Sequence, residues 1–158
     1  MDAIPVIIET PKGSAFKYTY EPEQHLFKLS KVLPAGMTFP FDFGFIPDTK
    51  GEDGDPLDII VIAEFQSFTG CMMDCRIIGG IKAKQTERDG KTLRNDRFIG
   101  IPEVSQLFAD INNTADLPEK IMEQLQAFFK NYNELSGKRF ESLGSMSPEE
   151  AYGSIKKG

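Results

Sequence analysis

Three carboxylates fall within six residues at Asp53-Gly54-Asp55-Pro56-Leu57-Asp58, directly ahead of the apolar run 59–63. Gly54 permits an unusual backbone angle and Pro56 stiffens the turn. In an extended stretch Asp53 and Asp55, two residues apart, point to one face, and Asp58 rejoins them where the strand opens. Carboxylates held a few ångströms apart raise each other's pKa unless a cation offsets the repulsion. Hard oxygen ligands select Mg²⁺, Mn²⁺ or Ca²⁺. A solvated acidic loop has the same composition, and composition alone leaves the two readings level. An EF-hand loop fits poorly, because its fifth and sixth positions would be Leu57 and Asp58 rather than Asp and Gly. A phosphoaspartate hydrolase would place its first Asp at the end of an apolar strand, and residues 47–52 are polar. Lys17, Lys31, Lys82, Arg97 and Lys138 are candidate anion binders. Acids and bases together suit a phosphate ligand bridged by a metal.

The rest of the composition removes other chemistries. The chain has 158 residues, a formal net charge of -6 and 40% hydrophobic residues, so it can bury a core, and disorder is excluded. The acidic balance argues against a nucleic-acid binder that works through a global basic field. No apolar run reaches the roughly 20 residues needed to span a bilayer. The N-terminus shows no basic or apolar leader pattern, so the expected location is cytoplasmic. The two cysteines, Cys71 and Cys75, would stand roughly 13 Å apart in an extended segment, too far for a disulfide. Two Cys and the single His25 cannot build a typical zinc site, and nothing like G-x-S-x-G surrounds a serine.

The elements that must carry these residues are short strands followed by helices. Residues 4–8 and 16–20 read as strands separated by Pro11, Gly13 and Ser14. Residues 26–33 alternate, which predicts one buried and one wetter side. The segment 39–46 carries four phenylalanines, which suits a core or a cavity wall. Strands follow at 57–63 and 75–83, the second with a Gly-Gly bend. A charged loop at 84–96 has Asp89-Gly90 as its tip, and 98–101 returns as a strand. Helical spacing covers 117–135, with Asp116, Pro118 and Glu119 as start signals and Gly137 as the stop. Ser147-Pro148 and Glu150 open a second helix that runs to about residue 156. The reading is a single α+β domain over 1–158. Its closed or highly curved sheet is antiparallel, with two C-terminal helices.

With these motifs in order, the chain resembles the soluble family I inorganic pyrophosphatases. Asp53-Gly54-Asp55-Pro56-Leu57-Asp58-Ile59 resembles the family signature. Ile8-Glu9-Thr10-Pro11, then Lys17-Tyr18, then the aromatic segment 39–46 and Asp116-Leu117-Pro118 follow the family order. The resemblance implies a small closed five-stranded, OB-like β-barrel with peripheral strands. It implies Mg²⁺-dependent hydrolysis of diphosphate, with Mn²⁺ as the alternative metal, and a homo-oligomer, a hexamer among short bacterial members. By resemblance Asp53 and Asp58 hold metal, Glu9 contacts metal or its water, and Asp55 takes the proton of the attacking water. Lys17, Lys31, Arg97, Tyr132 and Lys138 match phosphate-binding positions. The family's D-x-K falls on Asn95-Asp96-Arg97, so either Asn95 replaces the aspartate or a one-residue shift puts Asp96 there. Asp96 is the expected metal ligand, with Asp89 or Glu87 as a second. The sequence departs from the pattern at Thr19, Lys31, Phe39, Phe43 and Asn133. Those departures motivate an alternative, a catalytically weakened relative that binds metal and phosphate as a regulatory or interaction module.

Overall fold

The structure is a computed structural model and describes residues 2–158. Among the described residues nine strands form: β1 (Ile4–Thr10), β2 (Phe16–Glu21), β3 (Leu26–Val32), β4 (Asp42–Ile46), β5 (Leu57–Val61), β6 (Met72–Thr86), β7 (Thr92–Arg94), β8 (Arg97–Pro102) and β9 (Arg139–Met146). Helix α1 spans Glu119–Leu135, and α2 spans Pro148–Lys157. The order β1-β4-β5-β8-β6 closes through a β1–β6 pairing into a five-stranded barrel. The expected antiparallel sheet needs one correction: β5 and β8 run parallel, with Asp58 beside Arg97 and Ile59 beside Phe98.

Strand β6 is longer than the expected 75–83 because it changes partners along its length. Its first residues pair with β1, its middle with β8, and its last residues with both β7 and β9. The change occurs around Gly79 and Gly80, where an added Cβ would meet the Met146 carbonyl at 2.6 Å and the Arg97 carbonyl at 2.8 Å. Only glycine admits that approach of β8 and β9. The presumed loop 84–96 is therefore mostly a hairpin, β6–β7, turning at Asp89-Gly90.

The barrel wall is buried on both faces. Ile59 and Val61 join the cluster under α2, while Ile60 and Ile62 join the cluster under α1. This explains why β5 reads as a continuous apolar run rather than an alternating one. Helix α2 starts with a full capping box, in which Ser147 accepts from the Glu150 amide and Glu150 reaches back to the Ser147 amide. Helix α1 begins at Glu119, two residues later than expected, because Pro118 takes the cap position after a short 3₁₀ turn at Thr114–Asp116. Strands β2 and β3 form a separate two-stranded hairpin. Its outer residues Leu26, Leu29 and Val32 are exposed, so the half-buried alternation expected for 26–33 does not form. Cys71 and Cys75 are both free thiols. Among the described residues, no helix is long and apolar enough to cross a membrane.

Candidate active site

The acidic loop is built to hold its carboxylates in place. Asp53 Oδ1 accepts the Asp55 amide at 3.0 Å, and the Gly51 amide donates to the Asp55 carbonyl at 2.7 Å. Gly54 sits at φ +87°, the left-handed turn that its missing Cβ permits. Thr49 Oγ1 donates to the Ile46 carbonyl and accepts the Leu57 amide, closing the loop onto the ends of β4 and β5. Asp58 then lies on β5 between Phe45 of β4 and Arg97 of β8.

These carboxylates open onto a cleft of about 460 Å³. Asp53, Asp55, Asp58 and Glu9 line one wall. Burial raises Asp58 to about 6, with Asp53 and Asp55 pushing the same way and Arg97 and Lys17 opposing. Burial raises Glu9 to about 7, although the Tyr20 amide donates to its Oε2 at 2.9 Å. Asp55 is raised as well, by burial and by Asp53, against Lys17 and Lys138. The acids of this wall thus oppose one another's ionisation.

Cationic side chains line the same cleft. Lys17 and Lys31 are cross-strand partners on the β2–β3 hairpin. Their ammonium groups lie 5.7 and 5.5 Å from the centre of the Tyr132 ring, which α1 supplies. Burial lowers the Lys31 pKa, and the nearby Lys17 and Lys138 charges add to that. Arg97 is buried over the neighbouring rings of Phe129 and Phe140, at 4.7 and 5.3 Å. Its guanidinium donates to the Asn95 carbonyl and the Gln85 side chain, while its Nε and the Tyr132 hydroxyl are buried without a hydrogen-bond partner. Unpaired buried donors on the lining of a cleft are costly unless an acceptor arrives there.

Most of the anticipated residues converge, and some do not. Asp96 faces away from the cleft: its Oδ1 accepts from Arg94 Nε at 2.6 Å and from the Ala83 amide at 3.0 Å, and it lines a shallower groove beside the C-terminal end of α2. Of that pair it is Asn95 that lines the cleft. Asp89 sits at the hairpin tip, where it accepts the Lys91 amide, outside the cleft. Lys82 pairs with Glu150 beside α2. Glu87 does line the cleft, paired with Lys138 at 3.1 Å. Gln85 is a polar cleft residue that the sequence reading did not single out, while Asn95 and Asn133, which entered it only as an alternative to Asp96 and as a departure, line the cleft as well. For Gln85 a signal was present, since Ile81, Ala83 and Gln85 form one buried row of period two. At the departure positions, Thr19 bonds Ser30 across the hairpin, and Phe39 and Phe43 pack with Phe128, Phe129 and Tyr132. Asn133 turns inward to donate to the Phe129 carbonyl.

Comparison with known proteins places the chain in a family. The family model described as inorganic pyrophosphatase matches residues 6–158. An inorganic pyrophosphatase of Saccharolobus solfataricus is 37% identical, over 99% of this chain and 90% of that protein. One from Halalkalibacterium halodurans is 36% identical, over 94% of this chain and 87% of its own. The crystal structure of inorganic pyrophosphatase from Thermus thermophilus superimposes with a TM-score of 0.90 at 31% identity, covering 98% of this chain and 88% of that one. From the acidic turn to the barrel that carries it, the chain belongs to the inorganic pyrophosphatase family.

Proposed function

We propose that the chain hydrolyses inorganic diphosphate to two phosphates with Mg²⁺ as its metal. The observation that carries this reading is that carboxylates and cations line one cleft together. The donor set fits a hard cation: Asp53, Asp55, Asp58 and Glu9 offer only oxygen, and they repel one another. Among the described residues no three acids close into a cage, so water and substrate oxygens must complete the coordination. When bound, the metal supplies charge neutralisation for the substrate and a more acidic attacking water.

The chain's own residues do the rest. Lys17, Lys31, Lys138 and Arg97 bind phosphoryl oxygens, and the Tyr132 hydroxyl adds a neutral donor beside them. This fixes the substrate so that water attacks one phosphorus in line with the bridging oxygen. The Asp55 carboxylate accepts the proton of the attacking water. The P–O bond to the bridge breaks, and the cations stabilise the charge left on the departing phosphate. Phe39, Phe43 and Phe129 line the same cleft and exclude water from its apolar side. The reading extends to a homo-oligomer, a hexamer as in short relatives, working as a single domain in the cytoplasm. No feature among the described residues favours a binding-only module. A phosphate-release assay with diphosphate and with nucleotides, each with and without Mg²⁺, tests the proposal. Release from diphosphate only when Mg²⁺ is present supports it, and silence with diphosphate refutes it.

A further inference from the structure

Lys138 reaches the cleft by a route that the sequence around it dictates. Helix α1 ends at Leu135, and Gly137 takes φ +78° just beyond it. The Lys138 amide then donates to the Asn133 carbonyl at 2.8 Å and the Gly137 amide to the Glu134 carbonyl at 3.1 Å, a glycine C-cap that fixes where Lys138 leaves the helix. Asn133, the neighbour of Tyr132, spends its side chain on the Phe129 carbonyl. Lys138 is therefore the cation that this end of α1 contributes to the cleft.

Its resting partner is an anion from another element. Lys138 Nζ lies 3.1 Å from Glu87 Oε2, with both side chains little more than a quarter exposed. Glu87 opens the turn of the β6–β7 hairpin, where its amide donates to the Lys91 carbonyl. A polar chain orients it from behind. Gln85 Oε1 accepts from both Arg97 and Asn95, so its Nε2 is left to donate, and it donates to Glu87 Oε1 at 3.2 Å. One carboxylate oxygen is thus held by Gln85 and the other is presented to Lys138. The hairpin and the helix end are also tied independently, since Arg88 Nε donates to the Ser136 carbonyl at 2.8 Å. Glu87 and Lys138 are held within reach by contacts other than their own.

We infer that Glu87 is an internal competitor for the anion slot of Lys138: its carboxylate occupies that slot in the resting enzyme, and a phosphate group entering the cleft must displace it. The inference rests on the phosphate-binding role proposed above for Lys138. A carboxylate and a phosphate oxygen offer the same charge-assisted acceptor to an ammonium group. A cation already paired is worth less to an incoming anion than a free one, because the resting pair must be broken first. The consequence is a cleft that holds product phosphate loosely and returns Lys138 to Glu87 as phosphate leaves.

The test is calorimetric titration of inorganic phosphate into the full chain in the absence of divalent metal. Glu87→Gln keeps an acceptor for Gln85 and removes the charge facing Lys138. It should bind phosphate about 3- to 10-fold more tightly than wild type, the range of about 0.6–1.4 kcal/mol for a partly exposed pair. Lys138→Met should weaken binding. The deciding measurement is Glu87→Gln in the Lys138→Met background, where the gain should vanish. A gain that persists without Lys138 would reflect general charge removal and would overturn the competitor role, as would unchanged affinity in Glu87→Gln. Circular dichroism and melting of each variant confirm that the Arg88 tie has kept the fold. Failure of the underlying reading looks different: wild type and Lys138→Met would bind phosphate equally.

Discussion

Replacing Glu9 with Gln should flatten the pH dependence of stability in the metal-free protein. Glu9 is 9% exposed and pushed from an ordinary 4.5 to about 7, first by burial and then by Asp58 and Asp55, with the Tyr20 amide and Lys17 opposing. The folded protein therefore holds a proton that the unfolded chain has released between pH 4.5 and 7. Stability from this group is full below pH 4.5 and is lost as pH rises through about 7. At about 1.4 kcal/mol per pH unit, the gap from 4.5 to about 7 comes to about 3 kcal/mol. For a chain of this length that is about 6–12 °C in melting temperature. Asp58 loses stability in the same direction between 3.8 and about 6, and because Asp58 also raises Glu9 the two losses do not simply add. Glu64, drawn down to about 2 by Ser105 and the Gln106 and Leu107 amides, titrates below this window. The assay is urea unfolding with chelator at pH 5, 6, 7 and 8. Wild type should lose stability across the series, and Glu9→Gln, which can still accept the Tyr20 amide, should lose about 2.5 kcal/mol less, since about half a pH unit of the window lies below pH 5. Parallel profiles for the two proteins would refute the argument and show that Glu9 ionises normally inside the fold.

Three further outcomes follow from the same site and its frame. Millimolar Mg²⁺ should raise the melting temperature more at pH 8 than at pH 5, because Glu9 and Asp58, pushed up to about 7 and about 6, are ionised at pH 8 and mostly protonated at pH 5; an equal rise at both, read by differential scanning, would contradict this. Asp55→Asn should lower the hydrolysis rate at saturating Mg²⁺ by roughly 10²- to 10⁴-fold, whereas Asp53→Asn and Asp58→Asn should be partly rescued by excess metal in the same phosphate-release assay. Gly44→Ala should destabilise by about 3 kcal/mol or more, since its Cβ would stand 2.2 Å from the Ile7 carbonyl where β1 pairs with β4, and normal melting would count against the tight pairing.

What could be read from the sequence was whatever had a local cause. The acidic turn depends on Gly54 and Pro56 and on residues within six positions, so its chemistry was visible. The start of α2 was equally plain, because a capping box is a four-residue device. Strand β9 was not legible: in Arg139–Met146 only Phe140 and Met146 are buried, so no alternation marks it, and its pairing partner lies some sixty residues away on β6. The parallel β5–β8 pairing is likewise a choice made by closure of the barrel rather than by either strand alone. Asp96 against Asn95 turned on a single step of register. Both residues form the two-residue link between β7 and β8, where alignment by residue type favoured the acid while the backbone turned the amide toward the cleft.

The β2–β3 hairpin shares no strand pairing with the barrel, yet it carries Lys17 and Lys31. It is fastened by side chains instead: Thr10 Oγ1 exchanges hydrogen bonds with the Tyr18 backbone, Glu9 takes the Tyr20 amide, and Tyr20 stacks on Phe45 at 5.5 Å. A unit held by a hydroxyl, one carboxylate and one ring contact opens at lower free energy than a closed ring of strands. Its amides should exchange with solvent ahead of those of β5 and β8, and bound phosphate should slow them selectively. Two of the four cations proposed to bind phosphate thus ride on a separately fastened hairpin, so in that proposal binding the substrate and closing the hairpin onto the barrel would be one event.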